Sequence, residues 1–335
     1  MRLCELDLNK TLFVEHCDLD GIMPYILSKF FKIDYFKFIS TNYNEDSELD
    51  DLKSGLYDNV IYVDFSPSEL CRKEIICKKI KCVTIDHHIA VKEEMDDFCD
   101  VYDNAEYIFD NDKCGTKLYY EWLKNQGYKG NSVSDYIVNL TDIYDLYKQD
   151  SELWEVADKL NRLLYSSCAW YVLKANSLNR IGAYKFFINT ILWKMENAER
   201  FFFNNLEMQK INSDLKKEND IFDNLIMNAS SEISTRKDSE GNYFAVFKCN
   251  SKISAIASRM LNKYKSLKYC VIINEYDIDN PRISLRSRDG FDLLRLNYAS
   301  GHSNASGVNY DGDMKVLVEN LKSKKLYELG YKENI

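Results

Sequence analysis

Lys81-Cys82-Val83-Thr84-Ile85-Asp86-His87-His88 reads as a strand that runs straight into an acid and two imidazoles. Val83, Thr84 and Ile85 are β-branched and suit pleated backbone. Upstream, Ser68 to Lys79 has the make-up of a charged helix, and Asn59-Val60-Ile61-Tyr62-Val63 is another apolar run, ending at Asp64. The same alternation reaches back to Thr11-Leu12-Phe13-Val14, a helical Ile22 to Lys32 and Tyr35-Phe36-Lys37-Phe38-Ile39, and forward to Tyr107-Ile108-Phe109. Strands alternating with helices predict βαβ units and a parallel sheet covered on both faces. Ligands of such open sheets collect at the carboxyl ends of the strands. His16-Cys17-Asp18-Leu19-Asp20-Gly21, Asp64 and Asp86-His87-His88 all fall at that edge.

The chain has 335 residues, enough for two domains with their own cores. With 45% hydrophobic and 13% aromatic residues it has ordinary globular composition, which argues against wholesale disorder. A net charge of −9 argues against a surface that tracks long nucleic acid. A short, highly charged substrate held by a few basic residues and metal ions remains compatible with it. Ten scattered cysteines without a CxxC pair read as reduced thiols rather than a disulfide framework or a zinc ribbon. Met1-Arg2-Leu3-Cys4-Glu5-Leu6-Asp7 carries acids where a secretory signal would carry bases. No stretch approaches the roughly 20 apolar residues of a membrane span. These features predict a soluble, cytoplasmic protein with no membrane partner.

Residues from Gly115 to about Ser230 read as mostly helical, with apolar spacings of three and four. Ile191 to Ile233 lacks Pro and Gly and predicts one or two long helices, so the expected organisation is an N-terminal α/β domain over 1–190, a helical connector over 191–235 and a smaller α/β domain over 236–335. In that last part, strands are expected at Tyr243 to Phe247, Tyr269 to Ile273 and Arg282 to Arg288. Helices are expected at Ile253 to Lys263 and Asp313 to Leu326. Alternation places Ser284, Arg286 and Arg288 on one face, and arginine suits bidentate phosphate contact. Ala299-Ser300-Gly301-His302-Ser303-Asn304-Ala305-Ser306-Gly307 reads as a glycine loop, with Gly307 in a turn that opens backbone N–H groups toward phosphate.

All four histidines of the chain lie in these runs. Taken alone, Asp18-Leu19-Asp20-Gly21 is as easily a helix start, and a His-His pair a surface feature. Their convergence at one sheet edge favours a site. Clustered carboxylates raise one another's pKa unless a cation compensates them. Two divalent metals with a shared carboxylate would do so, and a mixed imidazole and carboxylate set suits Mn2+ better than Ca2+. Asp86 would then fix an imidazole tautomer from behind.

The series His16-x-Asp18-x-Asp20-Gly21, Asp64, Asp86-His87-His88 resembles the motifs of the DHH phosphoesterases. Ser284-Leu285-Arg286-Ser287 and Gly301-His302-x-x-Ala305-Ser306-Gly307 resemble the DHH-associated domain, with Ala299 and Ser300 in place of two glycines that usually precede the histidine. The resemblance spans residues from about 11 to 310. It implies a Rossmann-like parallel-sheet α/β domain joined by helices to a smaller α/β domain. It implies two divalent ions, Mn2+ foremost, with His16 and Asp18 on one, Asp20 and His87 on the other, and Asp64 bridging. His88 would face the substrate phosphate, backed by Asp86; Ser284, Arg286, Gly301 and His302 would bind substrate. A further aspartate is implied in Thr141-Asp142-Ile143-Tyr144-Asp145, where Asp145 is preferred and Asp142 stays open.

The expected activity is metal-dependent phosphodiester hydrolysis of short oligoribonucleotides or linear dinucleotides, as in the nanoRNase (oligoribonuclease) branch of these exonucleases. The alternatives are hydrolysis of a signalling nucleotide (a cyclic dinucleotide, a cyclic mononucleotide or 3′-phosphoadenosine 5′-phosphate) and a nucleotide-binding regulator without turnover. Short RNA or a nucleotide is the expected partner, and a homodimer is left open.

Overall fold

The computed structural model describes residues 1–41, 46–167, 180–229, 233–288, 290–301 and 303–332. The chain divides into two compact units, Met1–Asp214 and Leu215–Ile335.

The first unit is built on a five-stranded, all-parallel sheet in the order β2-β1-β3-β4-β5, with β1 Thr11–His16, β2 Lys37–Thr41, β3 Asn59–Val63, β4 Lys81–Asp86 and β5 Ala105–Phe109. Every residue of β3 is buried, as expected of a strand covered on both faces. On one face Leu12, Val14, Val60, Tyr62 and Cys82 pack against α2 (Leu49–Ser54), α3 (Glu69–Lys78) and α4 (Lys92–Val101), through Leu52, Ile75, Met95 and Phe98. On the other, Phe13 meets Tyr35, Phe38 and Tyr119, which brings in α1 (Leu19–Phe30) and α5 (Gly115–Lys124). Each such fully buried aliphatic or aromatic side chain contributes about 1.5–3 kcal/mol relative to exposure. The sheet is therefore clamped from both sides, and its carboxyl edge is held rigid.

Helices α6 (Ser132–Asp145), α7 (Trp154–Ser166), α8 (Arg180–Ala183) and α9 (Lys185–Asn197) complete the unit. The proline- and glycine-free run from Ile191 does not continue as helix. It breaks over 198–204 and restarts as α10 (Asn205–Met227). The restart is a reciprocal cap: the Glu207 N–H donates to Asn204 Oδ1 (3.0 Å), while the Asn204 N–H donates to Glu207 Oε2 (3.1 Å). Glu207 also pairs with buried Lys194 at 3.0 Å, and that ammonium donates to the Phe202 carbonyl (2.6 Å). The break is thus set by side-chain caps, which hydrophobic spacing does not reveal.

The second unit is a six-stranded mixed sheet ordered β10-β11-β9-β8-β7-β6. Its strands are β6 Ile233–Lys237, β7 Tyr243–Lys248, β8 Leu267–Asn274, β9 Arg282–Ser287, β10 Ala299–Gly301 and β11 Ala305–Val308. Phe244 and Val246 face a core shared with α12 (Met314–Lys322), whereas Ala245 and Phe247 face α11 (Ile253–Lys263) with Phe222 and Leu225. Three strands depart from the sequence expectation. β6 begins inside the stretch read as connector. The glycine-rich segment forms β10 and β11, with Gly307 paired to Ser284 and Ser300 in the ladder rather than placed in a turn. Backbone pairing to β9 supplies what the short, small side chains of that segment do not signal.

Glu48 is a test of the first core. Its carboxyl is 1% exposed and accepts from the Tyr62 hydroxyl (3.2 Å) and the Cys71 thiol (3.3 Å), and burial pushes its pKa up. A raised folded-state pKa means stability that is full below the ordinary carboxyl range and lost as pH rises above it. Glu48→Gln should therefore gain in Tm relative to wild type between pH 4 and pH 8. A difference that is flat across that range in thermal melts would refute the buried-proton account.

Candidate metal centre

β1 delivers His16 at its end and is followed by Cys17 and Asp18, the N-cap of α1. Asp18 Oδ1 accepts the Gly21 N–H at 3.0 Å, while Oδ2 lies 3.0 Å from His16 Nδ1. Such a cap needs α1 to start hard against the strand. A Cβ on Gly21 would sit 1.9 Å from the His16 carbonyl oxygen.

β3 ends into Asp64, whose φ of 56° lies in the left-handed region, sparsely populated by non-glycine residues. Its N–H still donates to the Ile85 carbonyl (2.9 Å), so the turned residue stays tied to the neighbouring strand. Gly115, at the start of α5, approaches so closely that a Cβ there would lie 2.7 Å from Asp64 Cβ.

β4 delivers Asp86, His87 and His88. Asp86 Oδ1 accepts from the backbone of His87 (2.8 Å) and His88 (3.2 Å) and faces His88 Nδ1 at 2.7 Å; Oδ2 accepts from Ser66 (2.6 Å). Asp20, in the first turn of α1, accepts the N–H groups of Gly115 (2.6 Å) and Thr116 (2.9 Å). The positive end of α5 thus meets a carboxylate.

These residues converge. Asp64 Oδ2 is 3.6 Å from His16 Nδ1 and Asp64 Oδ1 is 3.2 Å from His87 Nε2. His87 Nε2 is also 3.7 Å from Asp20 Oδ2 and 3.6 Å from Asp145 Oδ2. His16-Asp18-Asp64, Asp20-His87-Asp145 and Asp64-Asp86-His87-His88 each place donor atoms within 4.8 Å of one another. The two aspartates of α6 take different parts. Asp142 is engaged by Lys117 (2.9 Å), Lys148 (2.8 Å) and the Cys114 N–H (3.1 Å), whereas Asp145 turns into the cluster and its Oδ2 accepts no hydrogen bond among the described residues.

The electrostatics show what this crowding costs. Burial and the Asp64 charge push Asp20 up to about 7, and burial with the Asp20 charge drives Asp145 well above the carboxylate range. Burial alone would lower His16 and His87, but the surrounding carboxylates outweigh it and hold both well above the usual imidazole value. Asp64, flanked by two imidazoles, is held far below its ordinary range despite burial. Protons here stand where positive charge is wanted. The orphaned Asp145 oxygen and the mixed nitrogen and oxygen donors fit first-row divalent cations.

No family model matches the chain. Among curated proteins it is 25% identical over 343 residues to a 3′,5′-cyclic-nucleotide phosphodiesterase of Helicobacter pylori, covering 89% of this chain and 92% of that one. Among solved structures it is similar to the DHH domain of a member of a family of ribosomal proteins, with a TM-score of 0.63, 14% identity and coverage of 96% of this chain and 87% of the other. It is also similar to RecJ of Thermus thermophilus in complex with Mn2+, with a TM-score of 0.52, 12% identity and coverage of 97% of this chain and 53% of the other. The chain has the fold of a DHH domain.

The remaining residues expected in the DHH-associated domain lie in the second unit. Arg286 is half-buried, donating to Ser254 Oγ (2.8 Å) and the Leu285 carbonyl (2.7 Å). Ser284 lies on the same face of β9, and Gly301 closes β10 with φ 129°. His302 lies outside the described residues. Sequence reasoning placed a helix from Gly115 but missed the role of its start, Cys114-Gly115-Thr116, which grips Asp20 and admits Asp64. A glycine opening a helix after a strand was the available signal. It also missed Glu15, a fully buried acid beside His16 whose carboxyl oxygens accept no hydrogen bond among the described side-chain partners and whose pKa burial raises well above normal.

Gly115→Ala should lower stability by about 1–3 kcal/mol and displace Asp64. The checks are a thermal melt and a Mn2+ titration of the same protein. An unchanged Tm with unchanged metal affinity would show that the close approach is not required.

Proposed function

We propose that the chain is a metal-dependent phosphodiesterase acting on short oligoribonucleotides or linear dinucleotides. The observation that carries this reading is the sharing of Asp64 between two donor groups, His16-Asp18 on one side and His87 with Asp20 and Asp145 on the other. His16, Asp18, Asp20, Asp64, His87 and Asp145 would hold two divalent ions, Mn2+ foremost. When bound, such a pair neutralises phosphate charge and lowers the pKa of an attacking water. Asp86 orients His88 through Nδ1, which leaves Nε2 as the atom that meets a phosphate oxygen. Asp64 and His87 are held almost free of solvent, which keeps the donors pre-aligned.

We assign substrate binding in the second unit to Ser284, Arg286, Gly301 and His302, with residues 1–190 as catalytic domain, 191–235 as connector and 236–335 as DHH-associated domain. Arg286 grips a terminal phosphate in this reading, its guanidinium already steadied by Ser254.

A second reading, hydrolysis of a 3′,5′-cyclic nucleotide, is favoured by the 25% identity to the Helicobacter pylori enzyme across most of both chains. Turnover of two- to five-residue RNAs, linear and cyclic dinucleotides and cyclic mononucleotides with Mn2+ separates the two. The short RNAs and linear dinucleotides should be cleaved fastest. Exclusive turnover of cyclic mononucleotides would replace the first reading with the second, and no turnover with any divalent metal would end both.

Asp64→Ala or His87→Ala should reduce kcat by about 10³-fold or more, the equivalent of several kcal/mol of lost charge stabilisation. Asp145→Asn should weaken Mn2+ binding, whereas Asp142→Asn should chiefly lower Tm. Arg286→Ala should raise KM with kcat nearly kept. Wild-type kinetics in either Ala variant of the centre, or an unchanged KM in the arginine variant, would remove that residue from its role.

A further inference from the structure

Tyr184 belongs to no motif of the sequence, yet its hydroxyl donates to the Cys17 carbonyl at 2.6 Å. Its side chain is 1% exposed. Cys17 separates His16 from Asp18, so the peptide unit whose oxygen Tyr184 holds is the one that joins Cys17 to Asp18. Holding that oxygen restrains the peptide plane, and with it ψ of Cys17 and φ of Asp18, whose backbone is extended (φ −113°, ψ −162°). From that conformation Asp18 both caps α1 through Gly21 and sets Oδ2 3.0 Å from His16 Nδ1.

The residue that holds the loop stands on a firm base. Tyr184 is the N-cap of α9, and α9 packs against α1 and α6, the helices that carry Asp20 and Asp145. The loop is anchored at its start by β1, whose His16 is in register with Thr41 of β2, and at its end by the α1 cap. Between these anchors the chain has left the sheet and has not yet entered the helix, and Tyr184 meets it there.

We propose that Tyr184 is a positioning residue for the His16-Asp18 half of the metal centre. It touches neither ion nor substrate; it acts by pre-setting the peptide between two ligands, so that less ordering is needed when a cation binds. This rests on the metal-centre reading above.

The test is Mn2+ titration of the full chain, stripped with chelator, by isothermal calorimetry, for wild type, Tyr184→Phe, Tyr119→Phe and Asp64→Ala, with melts of the metal-free forms. Tyr119 is a buried tyrosine that bonds Ser28 and Tyr35 at 2.9 Å each and makes a matched control for loss of a buried hydroxyl. Tyr184→Phe should weaken Mn2+ binding about tenfold, with kcat restored at saturating Mn2+ and a melt shift no larger than that of Tyr119→Phe. Tyr119→Phe should keep wild-type Mn2+ affinity. Affinity in Tyr184→Phe within twofold of wild type, or an equal loss in Tyr119→Phe, overturns the proposal. Wild type that binds no Mn2+, or Asp64→Ala that binds as well as wild type, overturns the metal-centre reading instead.

Discussion

Several carboxylates packed at the edge of one sheet repel one another, and the first unit is organised around holding them there. Asp64 is the pivot. It reaches between two imidazoles only by adopting a left-handed backbone, and it keeps that conformation because its N–H remains in the β3–β4 ladder while Gly115 leaves room for its Cα and Cβ. Strain at one residue is tolerated where the surroundings over-determine it.

The helices answer the same constraint. α1 begins against His16 and turns its cap into a contact with the imidazole; α5 begins against Asp64 and turns its first N–H groups onto Asp20. Both starts need glycine, for steric rather than conformational reasons. Positive helix ends and shared protons lessen the repulsion only in part, as the opposed pKa shifts of Asp20 and Asp64 show. Bound divalent cations would balance more of that charge.

Asp142 and Asp145, three residues apart on α6, illustrate how position decides chemistry. Two lysines and a backbone N–H satisfy the first, and it fastens α6 to α5; the second, one turn on, has an oxygen left over and faces His87. In the second unit, strand alternation aligns Ser284 and Arg286 on one side of β9. There Ser254 at the start of α11 steadies the guanidinium, while the apolar alternate residues build the core.

Read by itself, the chain determined the parallel sheet of the first unit, the runs that form β7, β8 and β9 of the second, and the acids and imidazoles gathered at the carboxyl edge. These are matters of period and of the residues that come directly after each strand, and they survive without knowledge of packing. The tertiary structure alone decided the rest: the cap that breaks the run after Asn197, the ladder that makes β10 and β11 of a glycine-rich segment, and the α5 start on Asp20. It also decided which aspartate of α6 is spare and that Tyr184 holds Cys17. The α5 start, the spare aspartate, the β11–β9 pairing and the Tyr184 contact depend on partners far away in sequence, and a local pattern carries no record of them; the Asn204–Glu207 cap is local, but hydrophobic spacing does not register polar caps.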